Sequence, residues 1–216
     1  MTIGIFGGTF NPVHWGHVRT ALEIKKTLEL DRMLMVPCGM PPHRDQPGVS
    51  SDARLAMLRM ALNDFPELEI DERELQRDGP SYSVDTLQSL HDEMPDQSLA
   101  MCIGMDAFLG LNTWHRWQDL FGFAHIVVAH RPGWSMNEIA DQLPDELKKE
   151  LKQRYVSDIT EMSRINSGLI IELKVTEIDI SSSSIRQRIG NNESISGLVP
   201  VAVEGYINKH ALYRRP

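Results

Sequence analysis

The sequence of 216 residues has 41% hydrophobic and 24% charged residues, which is the balance of an ordinary globular protein and excludes a disordered or fibrous chain. Its formal net charge of −8 argues against a protein that mainly coats nucleic acid, because that affinity comes largely from Lys and Arg. We therefore expect no nucleic-acid partner, and any polyanionic ligand must bind in a local basic pocket.

The cysteine content and the apolar runs indicate the compartment. The two cysteines, Cys38 and Cys102, show neither a pairing framework nor metal-type spacing, which favours a reducing compartment. No apolar run approaches the length of a membrane span, and the N-terminus enters a predicted strand without a leader pattern. We expect a cytoplasmic protein with no membrane partner; the sequence leaves open whether it forms a homo-oligomer.

Apolar and β-branched runs predict six strands, and most of the segments between them have the apolar spacing of helices. In chain order the strands are Ile3–Phe6, Arg32–Pro37, Leu68–Asp71, Leu99–Gly104, His125–His130 and Leu169–Val175. This alternation predicts an α/β protein with a Rossmann-like, doubly wound, mostly parallel sheet and helices on both faces. We expect a single domain over 1–216, with a small C-terminal helical portion over 180–216 and a candidate peripheral insertion at 144–167.

The segment Gly7–His17 follows the first strand and reads as a tight loop that opens a helix. His14 and His17 would share one face of the first helical turn, where free N–H groups and the helix dipole favour an anion. Gly16 between them permits a close approach. Neither a GxGxxG pattern nor a Gly-Lys-Ser/Thr sequence occurs, so backbone N–H groups, dipole and imidazoles would bind the anion. Structural caps or a chance metal pair are the alternatives; the glycines favour phosphate.

The next two segments in the chain are a loop and a capped helix. The loop Gly39–Gly48 is rich in proline and glycine and carries His43 and Arg44. The helix after it would be capped by Ser50 or Ser51.

A strand end at Gly104 is followed by the carboxylate of Asp106. Ligands of open α/β sheets bind beyond the C-terminal ends of strands, so Asp106 is a candidate to bind ribose hydroxyls, with a helix cap as the alternative. Trp114 and Trp117 are three residues apart on a possible helix. That spacing is typical of core residues, and a stacking wall for a heteroaromatic ring is the alternative.

The segment Ile180–Arg186 contains four consecutive serines at the start of a predicted helix. One serine would suffice as an N-cap. The additional hydroxyls, the free N–H groups and Arg186 one turn in would form a second anion site, since Arg can bind two phosphate oxygens at once. The sequence alone leaves the cap and the anion site equally open.

Two of these segments carry a family resemblance. Gly7–His17 resembles the GGTFDPxHxGH signature of nucleotidyltransferases with an HxGH motif, and Ile180–Arg186 is similar to their ISSTxIR motif. Asn11 stands where that family usually has Asp and loses the charge, whereas Ser183 replaces the usual Thr and keeps the hydroxyl. Within that superfamily, the segments similar to bacterial nicotinate-mononucleotide adenylyltransferases are Pro42-His43-Arg44, Ser81–Leu87, Ile103–Asp106, Trp114, His130–Gly133 and Val199–Tyr213, so the resemblance covers nearly the whole chain.

The resemblance implies adenylyl transfer from ATP to nicotinate mononucleotide, giving nicotinate adenine dinucleotide and pyrophosphate in NAD biosynthesis. It implies catalytic roles for His14, His17 and Arg186, and Mg²⁺ as the counter-ion of ATP, coordinated mainly by phosphates and water rather than by a protein metal site. The implied ATP-binding residues are Gly7, Gly8, Thr9, Phe10, His14, His17, Gly104, Asp106, Arg131, Ser182, Ser183 and Arg186. The implied mononucleotide-binding residues are His43, Arg44, Tyr82, Ser83, Thr86 and Trp114, with Trp114 stacked on the pyridine ring.

Three other functions compete with this one. A phosphopantetheine adenylyltransferase shares the HxGH-type loop, but it is a shorter chain and is expected to lack the Tyr82–Leu87 and Trp114 features. A non-catalytic nucleotide-binding protein would not need the histidine pair and Arg186. Aminoacyl-tRNA synthetases also use an HxGH-like motif, but nothing here resembles their KMSK loop, and the acidic net charge disfavours tRNA.

Overall fold

The computed structural model describes residues 1–40, 48–130 and 136–214. Within these residues, seven strands form one sheet in the order β3-β2-β1-β4-β5-β7-β6, and every neighbouring pair is parallel. The strands are β1 (Thr2–Gly8), β2 (Arg32–Pro37), β3 (Glu69–Ile70), β4 (Ser98–Gly104), β5 (His125–His130), β6 (Tyr155–Val156) and β7 (Ile170–Lys174). The predicted α/β class with a parallel sheet is confirmed.

Helices cover both faces of this sheet. In the described ranges they are α1 (Trp15–Thr27), α2 (Ser51–Leu62), α3 (Ser83–Glu93), α4 (Met105–Leu109), α5 (Leu120–Phe123), α6 (Met136–Ile139), α7 (Asp145–Arg154), α8 (Ser182–Gly190) and α9 (Val201–Lys209). Ser50 caps α2 by accepting a hydrogen bond from the N–H of Ala53. No helix in these ranges is long and apolar enough to cross a membrane.

Two hydrophobic clusters lie on opposite faces of the sheet because side chains alternate along each strand. In β1, Ile3 and Ile5 point into the cluster that contains the buried residues of α3, α4, α5 and α7. The opposite face holds the cluster formed with α1, α2, α8 and α9. The central strands are buried on both faces, which is why their sequences are continuous apolar runs.

The strand order reverses between β1 and β4. From β1 the chain continues through α1 on one face to β2, whereas β4 leads into α4 on the other face. In open α/β sheets the crevice at such a reversal, beyond the carboxyl ends of the strands, is where ligands bind. The loop after β1 and the residues after β4 both open into this crevice.

The structure corrects two details of the sequence interpretation. Trp114 and Trp117 are not on one helix, because Arg116 between them has a left-handed backbone with φ 49°; Trp117 is buried in the core and Trp114 is half-buried. An additional strand, β6, pairs with β7 at the sheet edge. It lies inside the segment 144–167, so that segment supplies both α7 and an edge strand.

Candidate active site

The loop between β1 and α1 has a backbone that is determined by Gly8 and Phe10. Phe10 adopts a left-handed conformation with φ 47°, and its side chain is buried in the core. A Cβ atom at Gly8 would lie 2.9 Å from Cε1 of Phe10, so glycine is required there. The peptide bond between Asn11 and Pro12 is cis.

His14 and His17 stack on each other at the start of α1. Their ring centroids are 3.7 Å apart with an angle of 32° between the planes, and the ring of Phe10 meets His17 edge-on at 5.1 Å. The backbone N–H of His14, the N-cap residue, donates to Nδ1 of His17 over 3.2 Å. Because Nδ1 accepts, the proton of the neutral His17 ring lies on Nε2, which leaves one N–H donor for a ligand.

Burial keeps both imidazoles neutral at pH 7. Desolvation lowers the pKa of His14 to about 4. Desolvation, with the neighbouring His14 as a second cause, lowers the pKa of His17 well below its ordinary value. Nδ1 of His14 is buried and makes no hydrogen bond within the described residues. An anionic ligand would raise both pKa values by favouring the charged form, so binding of a phosphate would favour protonation of this pair.

The start of α8 contacts the loop after β1 directly. Ser181 is the N-cap of α8 and accepts from the N–H of Ser184 at 3.1 Å. The hydroxyl of Ser182 donates to the carbonyl oxygen of Pro12 at 2.9 Å, and Arg186 Nη1 donates to the carbonyl oxygen of Asn11 at 2.7 Å. The two segments that the sequence singled out at opposite ends of the chain therefore adjoin, and the N-termini of α1 and α8 lie beside one loop. Ser183 is exposed, and its hydroxyl lies 3.1 Å from that of Ser181.

Arg54 supports this loop from beneath, and sequence reasoning missed it. Only 1% of Arg54 is exposed; Nη1 donates to the carbonyl of Thr9 at 2.8 Å and Nη2 to that of Gly39 at 3.1 Å. It thereby connects the loops that follow β1 and β2. The available signal was an arginine on the apolar stripe of α2, four residues before the buried Leu58.

Tyr213 was also missed as a contact of this loop. Its hydroxyl donates to Oδ1 of Asn11 over 2.7 Å, across 202 positions of sequence. No local pattern could have indicated that pairing.

Gly104 and Asp106 lie at the other side of the crevice, where β4 ends. Both are exposed, and β4 pairs with β1 from Thr2 to Phe6. Gly104 is the N-cap residue of the short helix α4, and Asp106 lies in its first turn without serving as the cap. Its carboxylate is therefore available to a ligand.

Aromatic side chains lie around the start of α3. Tyr82 is the N-cap residue of α3, and its ring stacks on that of His115 with centroids 4.4 Å apart. Trp114 and Tyr82 both pack against the same core cluster. The hydroxyl of Thr86 is already used: it donates to Glu74 Oε1 at 2.8 Å. Ser83, the first residue of α3, is half-buried.

Three of the sequence-predicted residues, His43, Arg44 and Arg131, lie outside the described residues. In the parts of the chain that are described, no group of three or more His, Cys, Asp or Glu side chains is arranged to hold a metal ion.

A parallel sheet whose strand order reverses next to β1, with two helix N-termini and a histidine pair at that point, defines an α/β nucleotide-binding protein. Comparison with known sequences narrows this class. A model of the cytidylyltransferase-like family matches residues 5–188. A "Probable nicotinate-nucleotide adenylyltransferase" of Methylococcus capsulatus is 44% identical over 99% of this chain and 100% of its own length. A relative of the same name from Chromohalobacter salexigens is 45% identical over 98% of this chain and 95% of its own length. The chain belongs to the cytidylyltransferase-like family and, within it, to the nicotinate-nucleotide adenylyltransferases.

The fold agrees with solved structures at low sequence identity. The nicotinic acid mononucleotide adenylyltransferase of Plasmodium falciparum, complexed with NaAD, superposes with a TM-score of 0.74 at 15% identity, over 98% of this chain and 97% of that one. The same protein complexed with APC gives a TM-score of 0.71 at 16% identity.

Proposed function

We propose that this chain transfers the adenylyl group of ATP to nicotinate mononucleotide, producing nicotinate adenine dinucleotide and pyrophosphate. Family membership supports this reaction. The single structural observation that carries it is the junction between the loop after β1 and the start of α8, where Ser182 and Arg186 bind the carbonyl groups of Pro12 and Asn11. At that junction two helix N-termini, an imidazole pair and a guanidinium lie around one loop, an arrangement that supports binding of an anion.

The reaction requires little proton chemistry. A phosphate oxygen of the mononucleotide, already ionised at neutral pH, attacks the α-phosphorus of ATP. The new phosphorus–oxygen bond forms as the bond to the bridging oxygen of the β-phosphate breaks, and pyrophosphate leaves with that electron pair. Catalysis therefore consists of alignment and of stabilising charge on the α-phosphate and the leaving group.

The histidine pair, Arg186 and the start of α8 supply that stabilisation. The Nε2–H of His17 contacts the α-phosphate in the transition state, with His14 beside it. Arg186 uses Nη1 for the carbonyl of Asn11 and has its other donors for the β- and γ-phosphates. Ser183 binds the same phosphates through its hydroxyl, and Ser182 does so through its backbone N–H, one of the free N–H groups of α8, because its own hydroxyl donates to Pro12.

The remaining ligand groups would occupy the two sides of the crevice. Gly104 and Asp106 border the adenosine, and Trp114 stacks on the pyridine ring. Because the hydroxyl of Thr86 donates to Glu74, we infer that backbone N–H groups at the start of α3, and not this hydroxyl, bind the nicotinate carboxylate.

Mg²⁺ enters as the counter-ion of ATP and neutralises phosphate charge; phosphate and water oxygens are its main ligands. The reducing, cytoplasmic location remains a prediction from the two unpaired cysteines.

Pyrophosphate release measured with ATP, Mg²⁺ and each acceptor separately tests the proposal. Nicotinate mononucleotide should give turnover, and phosphopantetheine should give none. Nicotinamide mononucleotide, added in parallel, measures the preference for acid over amide. Release with phosphopantetheine alone would assign the rival activity, and no release with any acceptor, from protein that binds ATP, would assign a non-catalytic nucleotide-binding role.

The variant His17→Ala tests the assigned role of the imidazole. It is expected to lower kcat by at least about a hundredfold, the usual cost of losing one transition-state donor. His210→Ala removes an exposed histidine after α9 and should leave kcat unchanged. A His17→Ala variant with wild-type turnover would make His17 a helix cap only.

A further inference from the structure

The C-terminal turn after α9 reaches back to the loop between β1 and α1. Ala211 and Tyr213 both have left-handed backbones, with φ 49° and φ 63°, and the N–H of Leu212 donates to the carbonyl of Ile207 at 3.0 Å. These two reversals turn the chain so that the ring of Tyr213 packs against the core. The hydroxyl of Tyr213 then donates to Oδ1 of Asn11 over 2.7 Å. We call this hydrogen bond the tail–loop contact.

Asn11 links the C-terminal turn to α8. Its side-chain oxygen accepts from Tyr213, while its backbone carbonyl accepts from Arg186 Nη1 at 2.7 Å. One residue of the loop is therefore held from both sides, by the C-terminal turn and by α8. Neighbouring loop positions are held too, since Thr9 accepts from Arg54 and Pro12 from Ser182. Of these contacts, only the tail–loop contact is made to a side chain of the loop.

The side chain at position 11 is suited to accept the hydrogen bond from Tyr213. A tyrosine hydroxyl needs an acceptor, and both asparagine and aspartate provide an oxygen at Oδ1. Burial raises the pKa of Tyr213 well above its ordinary value, so its hydroxyl remains a donor at any working pH. The asparagine found here instead of the family's usual aspartate thus preserves the acceptor while placing no negative charge beside the guanidinium of Arg186.

We propose that Tyr213 is a positioning residue for adenylyl transfer, acting through Asn11 on the loop and on Arg186. Tyr213 touches no reacting atom in this assignment. Its hydroxyl fixes the side chain of Asn11, and Asn11 in turn fixes the guanidinium that binds the departing phosphates. The kinetic test of this inference rests on the proposed function, whereas its binding test requires only that the protein binds a nucleotide.

The decisive comparison is a double-mutant cycle of Tyr213→Phe and Asn11→Ala. Tyr213→Phe removes one oxygen and keeps the packed ring; it should lower kcat/KM for ATP about tenfold, because small displacements of catalytic groups are costly. KM for nicotinate mononucleotide should not change. Asn11→Ala should be at least as damaging, and the double variant no worse than Asn11→Ala alone, because both changes break the same contact. Asn11→Asp keeps the acceptor and should retain kcat/KM within about twofold.

Tyr206→Phe is the matched control. Tyr206 is half-buried in α9, its ring stacks on His210 with centroids 4.3 Å apart, and its hydroxyl makes no hydrogen bond within the described residues. This variant should behave as wild type. Wild-type kcat/KM in Tyr213→Phe, or effects of the two changes that multiply in the double variant, would overturn the proposal. A lower Tm for Tyr213→Phe with unchanged kinetics would reduce the contact to a structural one. If Tyr213→Phe does not fold, Asn11→Ala against Asn11→Asp makes the same comparison.

Calorimetric binding of a non-hydrolysable ATP analogue separates this proposal from the proposed function. Tyr213→Phe and Asn11→Ala should each bind the analogue several-fold more weakly than wild type. Weaker binding, with no pyrophosphate release by the wild type, would refute the proposed reaction and leave the tail–loop contact in place. Unchanged binding together with unchanged kinetics refutes the contact's role.

Discussion

Replacing Gly16 by alanine displaces the ring of His14. Gly16 is the second residue of α1, and a Cβ atom there would lie 2.8 Å from Nδ1 and 2.9 Å from Cε1 of His14. Restoring ordinary contact at 3.4 Å requires a movement of about 0.6 Å, and a misplacement of about 1 Å can cost roughly a hundredfold in rate. Scaled to the smaller movement, Gly16→Ala should lower kcat about tenfold.

The stability of the Gly16→Ala variant should change little. Alanine is favoured over glycine inside a helix by roughly 0.5–1 kcal/mol, and the crowded ring costs roughly 1–3 kcal/mol. The expected net loss is about 1 kcal/mol, so the folded enzyme can be assayed at 25 °C.

Gly205→Ala provides the control for the same chemical change. Gly205 lies inside α9, and a Cβ atom there would have nothing within 4 Å. Steady-state pyrophosphate release and thermal unfolding are measured for both variants. Gly205→Ala should keep wild-type kcat with an equal or higher Tm. A Gly16→Ala enzyme with wild-type kcat and KM would refute the idea that the position of the His14 ring controls the rate.

Two further outcomes concern stability. Burial lowers the folded-state pKa of His14, His17 and His125 below the unfolded value of 6.5, so below that pH the unfolded chain binds more protons than the folded one. The free energy of unfolding should therefore fall as pH drops from 6.5 towards 4, by up to about 1.4 kcal/mol per pH unit for each histidine. Urea unfolding at pH 7 and pH 5 checks this, and equal stability at both would contradict the neutral pair. Arg54→Met leaves the carbonyls of Thr9 and Gly39 without their donor, so unfolding should become easier by about 2 kcal/mol; a loss below about 0.5 kcal/mol would show that the loops need no such link.

Strands with strong local signals could be predicted from the sequence almost to the residue. β2 and β5 have the predicted bounds because each is a nearly continuous apolar run. β6 could not be found, because Tyr155 and Val156 follow the charged helix α7 directly and contribute only two residues to the sheet edge. The helical interpretation around Trp114 was wrong for a similar reason: a spacing of three residues carries no information about the left-handed backbone of Arg116.

The residues of the candidate site also divide into those that the sequence indicated and those that it did not. His14, His17 and the serines before Arg186 stand out because their types and spacing have a local physical meaning. Arg54 was hidden, since a charged residue on an apolar stripe resembles a surface interruption until its carbonyl partners are known. Tyr213 ends the family-like segment Val199–Tyr213, but nothing in the sequence indicated its contact, because that contact is to an asparagine that only the tertiary fold brings close.

The hydrogen bonds around the loop between β1 and α1 join residues 170, 175 and 202 positions apart. Strand β1 can pair with β2 and β4 once the first hundred or so residues exist, whereas the loop is closed only after the last helix and turn have formed. At a synthesis rate of about 5–20 residues per second, roughly 10–40 s separate the appearance of the two halves of the site. A nascent or C-terminally clipped chain can therefore form its central sheet and still lack the contacts that hold the proposed triphosphate site together, so nucleotide binding at that site would report on the completion of the whole polypeptide.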